Sequence, residues 1–344
     1  MSPSPAPARV KLKDVALKAG VATGTVSMVL NDSPLVATAT KAQVLKIIQE
    51  MGYVYNRAAG NLRSKSSRIV GVSICDLMNP YFAEVLAGIQ EVVDAKGRVP
   101  VLGNCAESVE RQAKFLDTLR EYEVDGILLT PVIGTPRCQV LNLEKWGTPV
   151  VQVTRYVHGA ETDYVGNNNR LALGLAVRHL VQLGHKHIAY LAHNPKTPTG
   201  QDRYTGFKEA MEEAGLAMPK RWTHECMATR EDGFSGAVRL LSQAKPPTAM
   251  VCFSDVVAFG AMLGIRSIGK EAGRDCAVVG LDDLMESRLW QPRLTSVAVD
   301  RQRIGHEAVR LLYDRIRTPN KAIEHIALEP ELVVRDSCGS PRVS

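Results

Sequence analysis

The sequence predicts an α/β protein in which a small all-α domain precedes two lobes that are built on parallel sheets. Apolar residues recur at helical spacing from residue 10 to residue 51, which predicts three short helices and no strand. Beyond residue 68, short β-branched runs alternate with amphipathic helical stretches, a pattern typical of parallel sheets that are covered on both faces. Residues 1–9 are rich in Pro, Ser and Ala, and we expect them to form a disordered tail.

Positive charge is concentrated at the N-terminal end of the chain. The 344 residues include 42 Lys or Arg and 36 Asp or Glu. Residues 1–68 hold ten of the basic and three of the acidic residues, a net charge of +7, whereas the rest of the chain holds 32 against 33. A basic block at one end of a nearly neutral chain is typical of a module that binds a polyanion such as nucleic acid.

Several other classes of protein are disfavoured by composition. No apolar run has the length of a secretion signal or a membrane-spanning helix, so we expect a cytoplasmic protein. The seven cysteines are scattered and never form a CxxC pair, which indicates reduced thiols. His185 and His187 lie two residues apart without a third ligand nearby, so a solvated turn is the simpler interpretation. We therefore expect neither a metal nor a cofactor.

The first two predicted helices have the spacing of a helix-turn-helix. Ala16 is small enough for two helices to cross closely, Gly20 permits the positive φ of a tight turn, and Val26 packs the second helix back. Residues 23–31 then form the recognition helix, whose N-terminal side chains enter the major groove of DNA. The alternative is a generic small helical domain, which the local positive charge disfavours.

Exposed positions of this helix divide into two groups. Thr23, Gly24 and Met28 are expected to face base edges, which carry the sequence information. Phosphate contacts, which position the protein without reading sequence, are expected from Thr25, Ser27 and Asn31.

The α/β region contains enough chain for two sheets. We place the divide between them near Asn168, with a further crossing between residues 295 and 300. The predicted strands are residues 69–74, 99–103, 126–130, 149–153, 188–192, 249–253 and 277–281. The predicted domains are a headpiece at 10–55, a hinge and linker at 56–68, a first lobe at 69–168 with 298–326, and a second lobe at 169–297 with 327–338.

DVALKAGVATGTVSMVLN, followed by EMGYVYNRAAGNLRS, resembles the headpiece and hinge of the LacI/GalR (lactose-repressor) family. The resemblance extends over roughly residues 10–335. It implies a homodimeric transcriptional repressor whose binding to operator DNA is controlled by a small-molecule effector. It also implies that the α/β region is a two-lobed domain like the periplasmic sugar-binding proteins, with the effector between the lobes. One headpiece reads one half-site, so we expect a palindromic operator of about 16 to 20 base pairs.

By the same resemblance, the segment 56–64 is a hinge that folds as a helix in the minor groove of operator DNA. Leu62 matches the family's leucine that is inserted between base steps, where it kinks the duplex. The remaining DNA contacts implied by the resemblance are Tyr53, Asn56, Arg57 and Ala59.

The headpiece and hinge depart from the family pattern at several positions. The usual Ser before the recognition helix is Ala22, so we expect Thr23 to supply the N-cap. The usual Arg within that helix is Met28, which can meet a thymine methyl but not a guanine, so we expect a different operator at that position. Gly60 weakens the hinge helix by about 1 kcal/mol relative to Ala, and Tyr55 stands where many members have Pro.

Candidate effector contacts follow strand ends or begin helices, where open parallel sheets place their ligands. Carboxylates accept from hydroxyls or amines, a guanidinium offers a fork of donors, and a phenyl ring supplies a stacking face, which together suit a small polar molecule such as a sugar. The candidates are Asp76, Tyr81, Phe82, Thr154, Arg203, Ser254, Asp255 and Asp282.

Structural interpretations compete with some of these assignments. Asp255 is equally suited to be an N-cap, and Tyr81 and Phe82 are equally suited to the core. Thr154, Ser254 and Asn168 stand where the family often has Asp, Asn and Asp, so no sugar specificity carries over.

An enzyme acting on sugars and a solute-binding protein are the alternative functions. The chain has no dinucleotide fingerprint, phosphate-binding loop, nucleophile elbow or HExxH motif. Asp282 and Asp283 are adjacent on a strand and so point to opposite faces, which disfavours a shared acid/base role. Turnover of a bound ligand would distinguish an enzyme. A solute-binding protein conflicts with the basic headpiece and the missing signal sequence.

Overall fold

A computed structural model describes residues 10–30, 32–55, 66–192 and 197–339. Contacts between Cα atoms divide the chain into two compact units, Met1–Ser67 and Arg68–Ser344. The first unit contains the predicted headpiece, and the second contains the predicted α/β region.

The headpiece consists of three helices, as the apolar spacing predicts: α1 (Leu12–Ala19), α2 (Thr23–Leu30) and α3 (Thr38–Met51). Helix α1 ends at Gly20, whose φ of 64° is the left-handed conformation predicted for the turn. Ala16 and Val26 are buried in the small core between the helices, which confirms their predicted packing. The other buried members of this core are Val15, Ala19, Val29, Val44 and Ile47.

The second unit contains two six-stranded sheets that are flanked by helices. The first sheet has the order β11-β5-β4-β3-β1-β2, and all its strands are parallel. Its strands are β1 (Ile69–Ile74), β2 (Val99–Asn104), β3 (Gly126–Leu129), β4 (Val150–Val153), β5 (Asp163–Asn167) and β11 (His325–Leu328). The associated helices are α4 (Pro80–Ala95), α5 (Val109–Glu121), α6 (Arg137–Lys145) and α12 (Arg301–Arg317).

The second sheet has the order β12-β10-β9-β8-β6-β7, and only its edge strand β12 is antiparallel to its neighbour. Its strands are β6 (Ile188–Ala192), β7 (Thr223–Glu225), β8 (Ala249–Cys252), β9 (Ala277–Asp282), β10 (Thr295–Ala298) and β12 (Glu331–Val333). The helices that accompany it are α7 (Asn169–Gln182), α8 (Pro198–Glu213), α9 (Arg230–Leu241), α10 (Asp255–Ser267) and the short α11 (Glu286–Leu289).

All seven predicted strands are present, but five others carry weaker signals in the sequence. Strand β5 begins with Asp163, a residue that disfavours strands when it is unpaired. The fully buried carboxylate of Asp163 pairs with the Arg315 guanidinium, with Nη2 2.9 Å from Oδ1 and Nε 2.9 Å from Oδ2. A contact across 152 residues therefore stabilises β5, and no local pattern reports it.

The crossings between the lobes differ slightly from the predicted boundaries. Ala298 belongs to β10 of the second sheet, so the chain enters the first lobe one residue later than predicted. Ala327 and Leu328 pair with β5 in the first sheet, so the return to the second lobe falls after Leu328 rather than after residue 326. The physical reason is backbone pairing, which continues to the end of each strand.

Helices α9 and α10 approach so closely that glycine is required between them. A Cβ atom at Gly260 would overlap the carbonyl oxygen of Arg230, which is backbone and cannot rotate away. Gly260 is therefore a packing residue that holds α10, and the cleft residue Ser254 at its N-terminus, against the lobe.

We expect Gly260→Ala to lower the free energy of unfolding of the α/β unit by about 1–3 kcal/mol, because the added methyl group must separate the two helices. Chemical denaturation of the full chain measures this loss. Arg266→Ala, an exposed change later on the same helix, is the control and should have an effect within about 0.5 kcal/mol. Equal stability of the Gly260→Ala variant and the parent would contradict the close packing.

Candidate functional site

The outer face of α2 carries the side chains that were predicted to face DNA. Thr23, Gly24 and Met28 are exposed, and Met28 retains 37% of its surface. Thr25 and Ser27 are half-buried between this face and the core. The helix thus presents a polar surface with one apolar side chain.

Helix α2 begins differently from the prediction. The carbonyl oxygen of Ala22 accepts from the amides of Thr25 (2.9 Å) and Val26 (3.3 Å), so Ala22 holds the N-cap position. Thr23 is the first helical residue and not the N-cap. Tyr53 follows α3 and packs against the headpiece core. The predicted contacts Asn31, Asn56, Arg57, Ala59 and Leu62 lie outside the described residues.

Three helices begin at the cleft between the two sheets. Each has a side-chain cap: Asn79 accepts from the amide of Tyr81, Thr197 from Gly200, and Ser254 from Val257. Residues in or beside the first turns of α4, α8 and α10 line the same cavity. Helix N-termini expose amide hydrogens and a partial positive charge, so the cleft is suited to ligands rich in oxygen.

An inner cavity of about 40 Å³ lies at the centre of this cleft. Six of the eight predicted effector contacts line it: Tyr81, Phe82, Thr154, Arg203, Ser254 and Asp282. The lining residues that were not predicted are Asn79, Arg155, Thr199, Ala228 and Phe253. The cavity brings together residues from both lobes.

Arg203 is held in a defined orientation on the second turn of α8. Its Nε donates to Asn169 Oδ1 at 2.8 Å, and its Nη1 donates to the carbonyl oxygen of Phe253 at 2.9 Å. The guanidinium carbon lies 6.0 Å from the centroid of the Phe253 ring. Because two donors are already engaged, the fork is positioned before any ligand arrives.

Asp282 ends β9 as a buried carboxylate beside the cavity. Burial and the nearby charge of Asp255 raise the pKa of Asp282, while Arg203 and Arg301 oppose this shift. Its φ of 120° lies in a region that L residues rarely adopt. The following Asp283 instead pairs with Arg335 at 2.6 Å, so the two carboxylates serve different partners as expected.

Asp255 is brought to a structural network rather than to the cavity. Its Oδ2 accepts from the Leu284 amide (2.8 Å) and Ser287 Oγ (2.6 Å), and its Oδ1 accepts from Ser296 Oγ (2.6 Å). The N-cap of α10 is Ser254, so Asp255 takes neither of the two roles considered from sequence. Its carboxylate is satisfied inside the protein, which leaves it no part in the cavity wall.

Asp76 is likewise absent from the residues that line the cavity. Its Oδ1 accepts from the amide of Met78 at 2.9 Å and so stabilises the turn after β1. Asp76 precedes the lining residues by only a few positions, which is why the strand-end argument selected it.

Tyr81 and Thr154 form a polar group inside the first lobe. The Tyr81 hydroxyl lies 3.4 Å from Thr154 Oγ1 and accepts from Asn167 Nδ2 at 3.0 Å. Thr154 has a φ of 66°, which is unusual for a β-branched residue and places backbone strain at the cavity wall. Tyr81 and Phe82 are both buried and both line the cavity, so the core and ligand interpretations are compatible.

Arg155 is the most informative residue that sequence reasoning missed. Its Nη1 donates to Glu107 Oε1 at 2.8 Å, and its guanidinium carbon lies 5.7 Å from the centroid of the Phe82 ring. An arginine directly after β4 was a usable signal. Arg155 and Thr199 also border an outer cavity of about 200 Å³, whose wall includes Val132 and Ile133.

The two lobes also meet at the mouth of the cleft. The Tyr156 hydroxyl donates to Asp202 Oδ2 at 3.2 Å, and His158 Nε2 lies 3.4 Å from Gln201 Oε1. Tyr156 and His158 follow β4 in the first lobe, whereas Gln201 and Asp202 lie on α8 in the second. These contacts close the cleft on that side.

Two searches of the described residues had negative results. No cluster of three or more His, Cys, Asp or Glu side chains with the arrangement of a metal site was found among them. Within the same part of the chain, no helix is long and apolar enough to span a membrane.

A helix-turn-helix unit and a two-lobed α/β unit with a polar cleft together define a DNA-binding regulator that senses a small molecule. Residues 11–56 match the family described as bacterial regulatory proteins, lacI family, and residues 177–338 match the periplasmic binding protein-like domain. The chain is 34% identical to the HTH-type transcriptional repressor PurR of Histophilus somni over 95% of its length and 98% of the relative's. It belongs to the lacI family of bacterial regulatory proteins.

Further comparisons agree with this assignment. The chain is 31% identical to the ribose operon repressor of Haemophilus influenzae, over 95% of this chain and 98% of that one. A Lac repressor dimer bound to operator and the anti-inducer ONPF has a TM-score of 0.86 at 26% identity, covering 97% of this chain and 100% of that chain. These relatives are named as repressors, not enzymes. The protein is a sequence-specific DNA-binding regulator whose DNA affinity is controlled by a small-molecule effector.

Asp282→Asn should stabilise the α/β unit at pH 8. Because burial raises the pKa of Asp282, the folded protein holds this proton more tightly than the unfolded chain, in which an aspartate ionises near pH 4. The destabilising effect of ionisation is therefore absent below about pH 4 and grows as the pH rises through the folded-state pKa. We expect the variant's Tm to exceed the parent's by at least about 2 °C at pH 8, with a smaller difference at pH 4.

Differential scanning calorimetry at both pH values measures this difference. Asp117→Asn, an exposed substitution on α5, is the matched control and should show no such pH dependence. A gain in Tm that is the same at pH 4 and pH 8 would show that Asp282 is not destabilised by its ionisation.

Proposed function

We propose that this regulator is a homodimeric repressor that binds a palindromic operator through α2 and releases or tightens on it when a small polar molecule occupies the cleft. The observation that carries the proposal is the cavity that joins Arg203 and Asp282 to Phe82 and Thr154 across the two lobes. Such a set offers donors, an acceptor and an apolar face within one small volume.

The proposed DNA interface consists of α2 and the segment that follows the headpiece. Thr23, Gly24 and Met28 read base edges, because they are exposed at the N-terminal part of the recognition helix. Phosphate contacts come from Thr25, Ser27 and Asn31. The hinge contributes Leu62 as an inserted side chain, together with Tyr53, Asn56, Arg57 and Ala59. The net charge of +7 in residues 1–68 supports binding to the phosphate backbone.

Two exposed apolar surfaces support the proposed dimer. Strand β2 is an edge strand of the first sheet and exposes 58% of Val99 together with parts of Val101 and Leu102. In the second lobe, Leu289 retains 74% of its surface and borders a groove of about 720 Å³ with Trp290. An open apolar strand edge favours pairing with another chain, and a second copy would cover both surfaces.

We propose a polyhydroxylated effector, such as a sugar, for the cleft. Asp282 is placed to accept from hydroxyls, while Arg203, Arg155 and Ser254 are placed to donate to ligand oxygens. Phe82 and Phe253 supply apolar faces for the carbon skeleton of a ring. Thr154 supplies a neutral hydroxyl where many family members have a carboxylate, which favours a ligand with one fewer donor at that point.

The mechanism proposed for control is linkage between cleft and DNA. The inner cavity of about 40 Å³ is close to the volume of a single water molecule, about 30 Å³, so a sugar requires the lobes to move apart around it. Such a movement changes the separation of the two headpieces in a dimer and hence their fit to two half-sites. By thermodynamic reciprocity, operator DNA must change effector affinity by the same factor.

The test of this function is selection of DNA fragments with the purified full chain, followed by a metabolite panel screened by thermal shift. We expect a palindromic consensus with half-sites one helical turn apart, about 10 base pairs from centre to centre. We also expect at least one sugar-like metabolite that raises the Tm and changes DNA affinity.

Measurement of effector affinity with and without operator completes this experiment. Identical affinities in the two conditions would contradict linkage. Absence of any specific DNA sequence, together with consumption of a bound metabolite, would instead support an enzyme acting on sugars.

Arg203→Met should weaken effector binding by about ten- to a hundredfold, because the charged donors that face the cavity are lost. Operator affinity in the absence of effector should remain unchanged, since Arg203 lies in the α/β unit and not in the headpiece. Titration calorimetry measures the first quantity, and fluorescence anisotropy of labelled operator measures the second.

Arg239→Met is the matched control, because Arg239 is an exposed arginine on α9 that does not line the cleft cavities. Unchanged effector affinity of the Arg203→Met variant, with normal Tm, would place the effector elsewhere.

A further inference from the structure

A second cavity, of about 340 Å³, lies beside the cleft on the far edge of the first lobe. It is enclosed by the segment that follows β4 and by residues next to β5 and β11, and it is distinct from the inner cavity that holds Arg203 and Asp282. Its volume falls within the range of about 300–1,000 Å³ that is usual for small-molecule sites. The effector proposal leaves this cavity without a role.

Four aromatic rings form its walls at steep angles to one another. Tyr156 and Tyr164 have ring centroids 5.2 Å apart at an interplanar angle of 67°. Tyr156 and His158 are 5.4 Å apart at 86°, and Tyr164 and His325 are 5.9 Å apart at 80°. Rings that are nearly perpendicular to their neighbours form a box rather than a stack. A compact group inside such a box meets several rings at once, which is the arrangement of an aromatic cage for quaternary ammonium groups.

Charge at the rim favours a cation. Glu161 lines the cavity and is exposed, so its carboxylate is available to a ligand at low desolvation cost. Two cationic side chains near β5 and β11 are already paired with carboxylates: Arg315 with Asp163 at 2.9 Å, and Lys321 with Glu324 at 2.6 Å. The π faces and the Glu161 carboxylate therefore attract positive charge together.

The cavity stays open when the proposed dimer forms. It adjoins β11 and β5, which occupy one edge of the first sheet, whereas β2 with its exposed apolar residues occupies the opposite edge. A second copy that covers β2 lies on the other side of the lobe. Access to the cavity therefore does not depend on the oligomeric state.

Two of the cage residues also contact the second lobe. Tyr156 donates to Asp202, and His158 lies within 3.4 Å of Gln201, both on α8. The same two residues line the outer cavity of the cleft. A ligand that holds these rings in place fixes one side of the contact between lobes, which gives it a physical route to the effector site.

We propose that this aromatic cavity is a second small-molecule site, which takes an organic cation of the quaternary ammonium class and shares Tyr156 and His158 with the effector cleft. The competing explanation is a purely apolar pocket, which would accept a neutral molecule of the same shape equally well. The charge of the ligand distinguishes the two.

The test compares choline with its neutral isostere 3,3-dimethylbutan-1-ol, using the full chain and saturation-transfer-difference NMR titrations. We expect choline to bind about three- to thirtyfold more tightly, since a cation inside aromatic walls gains an attraction that the neutral molecule lacks. Equal affinities, or no binding of choline, would overturn the proposal.

Variants locate the binding. Glu161→Gln should reduce the preference for choline, whereas Glu331→Gln, an exposed glutamate on β12, should leave it unchanged. Tyr156→Phe retains the ring and should retain choline binding, whereas Tyr156→Leu should lose it. An equal effect of Glu161→Gln and Glu331→Gln would also overturn the assignment. The Glu161 variant keeps the test decisive even where Tyr156→Leu fails to fold, because Glu161 is exposed.

Discussion

The buried carboxylate of Asp255 organises the ligand-facing edge of the second lobe. A buried charge is destabilising unless its oxygens are hydrogen-bonded, and here donors from the loop after β9, from α11 and from β10 all converge on it. The interaction links α10, whose first turn borders the cavity, to the turn that carries Asp282 and Asp283. The positions of Ser254 and Asp282 therefore depend on a residue that itself does not line the cavity.

Unfavourable conformations and charges are concentrated at the cavity between the lobes. Thr154 and Asp282 have positive φ values and border it from opposite lobes, and burial raises the pKa of Asp282. Local strain and a buried carboxylate both reduce stability, so the surrounding lobes must supply the compensating packing. Residues that are unfavourable for folding but present in a shared cavity are a mark of ligand binding.

Much of the fold could be predicted because its signals are local. The helix-turn-helix follows from the spacing of Ala16, Gly20 and Val26, and the seven most apolar strands follow from continuous β-branched runs. Strand β5 escaped prediction because the ion pair between Asp163 and Arg315 joins residues that are far apart in the chain. The same limit applies to Arg155 and Phe253, whose place in the cavity depends on how the lobes face each other.

The sequence by itself determined the class of the protein: a basic helical headpiece and a two-sheet α/β region, since periodicity, turn residues and charge are properties of neighbouring positions. Tertiary structure alone decided which polar residues at the strand ends meet. It placed Arg203, Asp282 and Thr154 in one cavity, gave Asp255 to the internal network, and gave Asp76 to a turn. The physical reason is that all these residues follow strands or begin helices, and only the packing of one lobe against the other distinguishes a cavity wall from an internal support.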